Sequence, residues 1–250
     1  MTTTCDRPPI DYQRLEQLAF EATGLAVYVV GDDVLPVGDD YMAATDPTLH
    51  VAAEDGLRTA GRWRGPLPTV AFSPVAIGGW ARSRVRSDAE FHAEFEAVTL
   101  AVLSHELSHV LGRRAPFYSR RIPETEAERQ RECRITRMAL GLSQDSVLSL
   151  SLPIWSGGHD HRWLRTALHL GYRVGQLAGV KIHWRQVAGE LLLPVWRLAA
   201  SLGSEPKRLR NLPIEEIKRR GMPRPYSRSW AAIYASGRTD ADDGRLGKEI

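Results

Sequence analysis

Apolar positions recur at helical spacing in several stretches of the chain, and the longest stretch frames the rest. Over residues 87–112, Phe91, Phe95, Val98 and Val102 repeat every three or four positions, as one face of an α-helix requires. Ser87 with Glu90 three residues on forms a capping-box pattern. Asp88 and Glu90 suit the positive end of the helix dipole. Gly112, followed by Arg113 and Arg114, marks the other end. Residues 97–103 carry no charge. A helix apolar around most of its circumference is normally buried. The pattern therefore predicts a core helix lying under a sheet.

The sheet is expected upstream. Residues 9–22 read as an amphipathic helix with Leu15, Leu18, Ala19 and Ala22 on one face and Gly24 as its stop. Residues 26–30 (AVYVV) have the β-branched and aromatic enrichment of a strand, and Gly31-Asp32-Asp33 punctuates it. Residues 48–53 and 69–77 are two further strand candidates.

Downstream, the basic, proline-containing residues 113–123 predict a loop, residues 124–142 a charged helix and residues 151–160 another loop. Residues 162–174 predict a helix with Trp163, Ala167, Leu170 and Val174 on one face. A helix over 184–202 is kinked at Pro194. Residues 213–220 form a short helix with proline first, acids early and bases late. From residue 236 the chain is polar and expected to fray. The expected class is α+β: a small sheet packed on the 87–112 helix, then a mostly helical C-terminal region.

Composition narrows the class without naming a function. Of 250 residues, 43% are apolar and 25% charged, which fits a globular chain rather than a disordered one. Cys5 and Cys133 lie far apart and form neither a CxxC motif nor a disulfide framework, as expected of a reducing compartment such as the cytoplasm. No stretch reaches the roughly 18 uncharged apolar residues that a membrane span needs; residues 191–202 are interrupted by Pro194 and Arg197. The opening residues have no basic region followed by an apolar run, so no secretory signal is expected. A net charge of +3 is too small to argue for nucleic acid by itself. Histidine changes the picture: there are eight, and six fall between His92 and His169.

Two of them belong to His105-Glu106-Leu107-Ser108-His109, an HExxH sequence on the 87–112 helix. Residues four apart are neighbours on one helical face, so both imidazoles can reach one ion. Glu106 is rotated ~100° from His105 and can sit beside a metal without binding it. Neutral imidazoles favour Zn²⁺. With a position left for water, Glu106 would take its proton as general base. The competing reading is a core helix with two incidental histidines. Two imidazoles and a carboxylate are costly on an apolar helix unless paired, and a metal would remove that cost.

A helix, a small sheet and then an HExxH helix resembles the core of zincin-type metallopeptidases. The resemblance implies that the HExxH helix lies under the sheet and that an edge strand aligns the substrate by strand addition. Residues 69–77 would be that edge.

The resemblance also implies a third zinc ligand, and two residues compete for it. His159 stands in Gly158-His159-Asp160-His161-Arg162-Trp163, which is similar to the downstream element of SprT-like zincins. There His159 takes the ligand position and Trp163 the aromatic one. Fifty residues separate His109 from His159, so residues 124–142 would be an insertion. His161 is a near substitute. Glu126, in Glu124-Thr125-Glu126-Ala127-Glu128, instead looks like the gluzincin arrangement of ImmA/IrrE-like peptidases; the helix dipole alone also accounts for acids there.

Other residues have weaker claims. His169 reads as structural or substrate-facing. His92 lies on the opposite side of its helix from His105 and is excluded. His50 and His183 have no motif around them. Asp160 could orient a ligand histidine, and Tyr118 could donate to an oxyanion, against its reading as an ordinary loop aromatic. Residues 207–228 carry eight basic and two acidic side chains, a possible contact for nucleic acid or simply a solvated basic face.

The reading is thus a zinc metallopeptidase of SprT-like type acting on a protein or peptide. His105, His109 and His159 hold Zn²⁺, and Glu106 is the catalytic base. The alternative is a non-catalytic binding module on the same scaffold, nucleic-acid-associated, with a structural metal. Residues 1–178 would form the zincin-like domain, 179–235 a helical basic extension and 236–250 a flexible tail.

Overall fold

The computed structural model describes residues 8–35, 42–45, 49–112, 161–188, 199–200 and 202–221. Among them the protein is mixed α and β, with one three-stranded sheet and mostly helical content. In chain order the elements are α1 (Tyr12–Thr23), β1 (Tyr28–Val30), β2 (Ala43–Thr45), α2 (Leu49–Thr59), β3 (Thr69–Phe72), α3 (Pro74–Ser83), α4 (Asp88–Gly112), α5 (His161–Ala178), α6 (Trp184–Ala188), α7 (Glu205–Arg208) and α8 (Ile214–Arg219).

The local signals in α1 and α4 act as their sequences suggest. The Asp11 carboxylate accepts from the Arg14 amide at 2.9 Å and caps α1. Gly24 closes the helix at φ 73°, its amide donating to the Phe20 carbonyl. At the start of α4 the Ser87 hydroxyl accepts from the Glu90 amide, and the Glu90 carboxylate accepts from the Arg86 amide. Leu15, Leu18, Ala19 and Ala22 of α1 are all buried. So are Phe91, Phe95, Val98 and Val102 of α4.

The sheet has the order β1-β3-β2, with β1 parallel to β3 and β2 antiparallel to it. Its side chains alternate between two cores, as strand geometry requires. Val29, Val70 and Phe72 face α1 and α4. Tyr28, Val30 and Ala71 face α2, where Ala53 and Leu57 cover them. The sheet thus lies between α2 and the α1–α4 layer.

Two strand expectations are corrected. The 48–53 pattern predicts a strand, yet Leu49–Thr59 is helix α2. Leu49, Ala53 and Leu57 repeat every four residues, a period visible only over the longer window. Strand 69–77 stops at Phe72: Ser73 caps the next helix by accepting from the Ala76 amide, and Pro74 occupies its first turn. Moreover, β3 is the central strand, so it is not the edge that the zincin resemblance required of it. Among the described residues the sheet's edges are β1 and β2.

Helix α5 lies along α4. Its Leu170 and Val174 join the main core. Its Trp163, Leu164, Ala167 and Leu168 form a second cluster with Ala101 of α4, Val187 and Ala188 of α6, and Ala199 and Leu202. Val187 and Ala188 of α6, with Ala199 and Leu202, thus share a core with Ala101 of α4. No helix among the described residues is long and apolar enough to cross a membrane.

Candidate metal centre

His105, Glu106 and His109 lie on the second half of α4, where Leu103, Leu107 and Val110 are buried. The i, i+4 spacing brings the two imidazoles together, with ring centroids 5.2 Å apart and planes inclined at 60°. Glu106 is 8% exposed, so little of the residue meets solvent.

Helix α5 builds a wall against both rings. The Trp163 indole meets His105 edge-on, with centroids 4.6 Å apart, and stacks on His109 at 5.2 Å. Trp163 is itself buried. The aromatic position at the start of this helix is therefore filled by a side chain in contact with both HExxH histidines.

Helix α6 sets the chemistry of one of them. His105 Nδ1 lies 3.0 Å from the Val187 carbonyl oxygen. A carbonyl can only accept, so Nδ1 carries a hydrogen, and in the neutral ring Nε2 is the nitrogen with the lone pair. A partner of this kind is what a metal-ligating imidazole normally has on its far nitrogen. His105 and His109 supply two donors of the type that a borderline cation such as Zn²⁺ takes.

Polar contacts hold α6 in place. Gln186 accepts from the His183 amide at 2.7 Å and donates to Glu94 of α4 at 3.1 Å. Glu94 also accepts from Arg84 at 3.0 Å. His183 Nδ1 accepts from the Arg185 amide. Burial, together with Arg185, Lys181 and Arg84, pushes the His183 imidazole below its ordinary value of 6.5, which preserves that acceptor.

A second cluster joins α5 to α7. Arg165 Nε and Glu205 Oε1 form an ion pair at 2.7 Å, with His169 Nε2 3.4 Å from the same oxygen. Burial would raise the Glu205 carboxyl, but the His169 hydrogen bond and the Arg165 charge outweigh it and hold Glu205 below the usual range. Arg165 also donates to the Arg220 and Gly221 carbonyls at 2.8 Å. His169 is accordingly a structural histidine at 1% exposure, the first of its two expected readings.

The remaining candidates separate cleanly. His92 is exposed and bonds the Asp88 carbonyl of its own helix. His50 is buried on α2, the helix that covers the opposite sheet face. His161 opens α5. His159, Glu126, Asp160 and Tyr118 lie outside the described residues, as do the helix expected over 124–142 and the loops expected over 113–123 and 151–160. Among the described residues no group of three or more His, Cys, Asp or Glu side chains is gathered to hold a metal.

Of the basic 207–228 stretch, Lys207, Arg208 and Arg210 line a surface cleft of about 430 Å³ with Ser204 and Asn211. Lys218 is committed elsewhere, donating to the Leu111 carbonyl near the C-terminal end of α4. Sequence reasoning points to neither the Val187 carbonyl nor Gln186. A backbone acceptor leaves no mark in residue identity, and nothing in VKIHWRQVAG signals it.

The chain matches no family model, no curated protein and no solved structure.

Proposed function

We propose that the protein is a zinc-dependent metallopeptidase whose HExxH helix carries the reaction. The observation that supports this most is the His105 Nδ1–H bond to the Val187 carbonyl. It leaves Nε2 as a donor to a metal, on the same helical face as His109. His105 and His109 would hold Zn²⁺, with His159 as the third ligand implied by the SprT-like resemblance. Bound there, Zn²⁺ would polarise a peptide carbonyl and acidify water.

The chain's own residues divide the remaining work. Glu106, one position on from His105 and turned away from the shared histidine face, would accept the water proton and deliver it to the leaving amine. Trp163 would exclude water from one side of both imidazoles. Val187 would keep the His105 ring from rotating. A cytoplasmic location belongs to the same proposal and rests on the two isolated cysteines. So does the zincin-like core, which rests on the order helix, sheet, HExxH helix.

The decisive variant is Glu106→Gln. It should retain zinc and lose hydrolysis of a denatured-protein substrate, because the amide cannot take the proton. Normal turnover by this variant would refute the mechanism. The third ligand is tested separately. If His159→Ala keeps full zinc while Glu126→Ala loses it, the site is of gluzincin type. A closed site of four protein ligands would favour the binding-module reading over the enzyme.

A further inference from the structure

We infer that Gly171 and Val187 are positioning residues for the candidate metal, acting through the tautomer of His105. The inference rests on the zinc reading above and adds a residue pair that the HExxH sequence does not contain. Val187 presents its carbonyl to His105 Nδ1 at 3.0 Å. For that carbonyl to reach α4, α6 must sit close against α5. Gly171 is where α5 allows it. A Cβ added at Gly171 would lie 2.7 Å from Val187 Cγ2, closer than two carbons can approach without displacement. Val187 is 2% exposed and β-branched, so its methyl has little room to turn away. Gly171 therefore sets the height of α6 over α5, and with it the distance from the Val187 carbonyl to His105.

The consequence is chemical rather than merely steric. With the carbonyl in place, the neutral ring of His105 carries its hydrogen on Nδ1, and the ring is held before any metal arrives. With α6 lifted, Nδ1 loses its acceptor and the ring is free to exchange tautomers, including the form whose hydrogen sits on the ligating nitrogen. Loss of such an outer partner typically weakens metal affinity about 10–100-fold.

The structure also supplies its own compensation. The same added Cβ would lie 3.9 Å from Val187 Cβ and 3.8 Å from Ile182 Cγ2, ordinary contact distances. Val187→Ala removes the clashing methyl and keeps the carbonyl, so it should rescue Gly171→Ala.

The test uses the full chain with ¹⁵N-labelled histidine, metal-free, above the imidazole titration range, with His105 assigned by its loss in His105→Ala. The wild type should show His105 as the Nδ1–H tautomer. Gly171→Ala should show exchange between tautomers and bind Zn²⁺ about 10–100-fold more weakly. The Gly171→Ala/Val187→Ala chain should recover both the tautomer and the affinity. A wild-type His105 protonated at Nε2 overturns the inference without any variant, so the test survives if Gly171→Ala fails to fold. Zinc binding by Gly171→Ala as tight as wild type overturns it as well, as does a double variant that recovers neither readout. A wild-type chain that takes up no zinc sinks the metal reading itself, whatever the tautomer.

Discussion

Among the described residues a histidine–glutamate set stands on α4 and another joins α5 to α7, and the two are tied off differently. At Glu205 the chain supplies its own cation: Arg165 lies 2.7 Å away and His169 3.4 Å. The cluster joins α5 to α7 and to the 220–221 backbone. In HExxH, His105 meets a carbonyl instead of a carboxylate. The two rings donate from opposite nitrogens: the Val187 carbonyl accepts from His105 Nδ1–H, and the Glu205 carboxylate accepts from His169 Nε2–H. Similar residues thus make an ion-paired cluster in one place and, on the proposed reading, a pair of metal ligands in the other. What distinguishes them is the partner on the second nitrogen, not the residue types.

The contrast can be broken most forcefully at the clamp. Glu205→Ala should cost about 3–5 kcal/mol, because Arg165, 4% exposed, would remain as a buried charge without its counter-ion. Urea unfolding measures this; a loss below about 1 kcal/mol would mean that the cluster is not a clamp. Glu94→Ala should cost less, about 1 kcal/mol, since its bond to Gln186 is only partly shielded. Its zinc affinity should nevertheless fall, because Gln186 holds the helix that carries the Val187 carbonyl. A stability loss without an affinity change would uncouple α6 from the proposed metal site.

The two regions should also differ in their pH response. Glu205 is held below its ordinary value of 4.5. Its contribution is therefore present above that value and is lost as pH falls through the folded-state pKa. Melting curves below pH 4.5 should show an acid limb that shrinks in Glu205→Gln. The smallest effect is expected at His183, which is lowered from 6.5. Below that pH the unfolded chain binds more protons than the folded one, so stability declines as pH falls. His183→Asn, which keeps an acceptor for the Arg185 amide, should flatten that decline; an unchanged profile would exclude His183 as its source.

The same contrast explains what was legible in the sequence. Helices α1 and α4 declare themselves through short-range signals: Asp11 and Ser87 as caps, Gly24 as a stop, and apolar residues at helical period. HExxH is equally local, since both histidines sit on one turn-and-a-bit of helix. Residues 48–53 mislead because a short apolar run fits strand and helix alike, and only Leu57 separates them. That β3 is central rather than an edge depends on which strands pair with it, which no local pattern encodes. The Arg165–Glu205 pair spans forty positions, and the Val187 carbonyl is backbone. Both arise from how α5, α6 and α7 pack. Trp163 is visible as part of an apolar face of its helix and as the aromatic of the stretch that resembles the SprT-like element; its contact with both imidazoles comes only from the packing of α5 on α4.

The central claim is that His105 and His109 hold a metal, and elemental analysis of the purified full chain tests it most directly. The wild type and Glu106→Gln should each carry one zinc per chain, and His105→Ala and His109→Ala should carry none. Equal zinc in His105→Ala and wild type, or none in the wild type even after incubation with Zn²⁺, would contradict it.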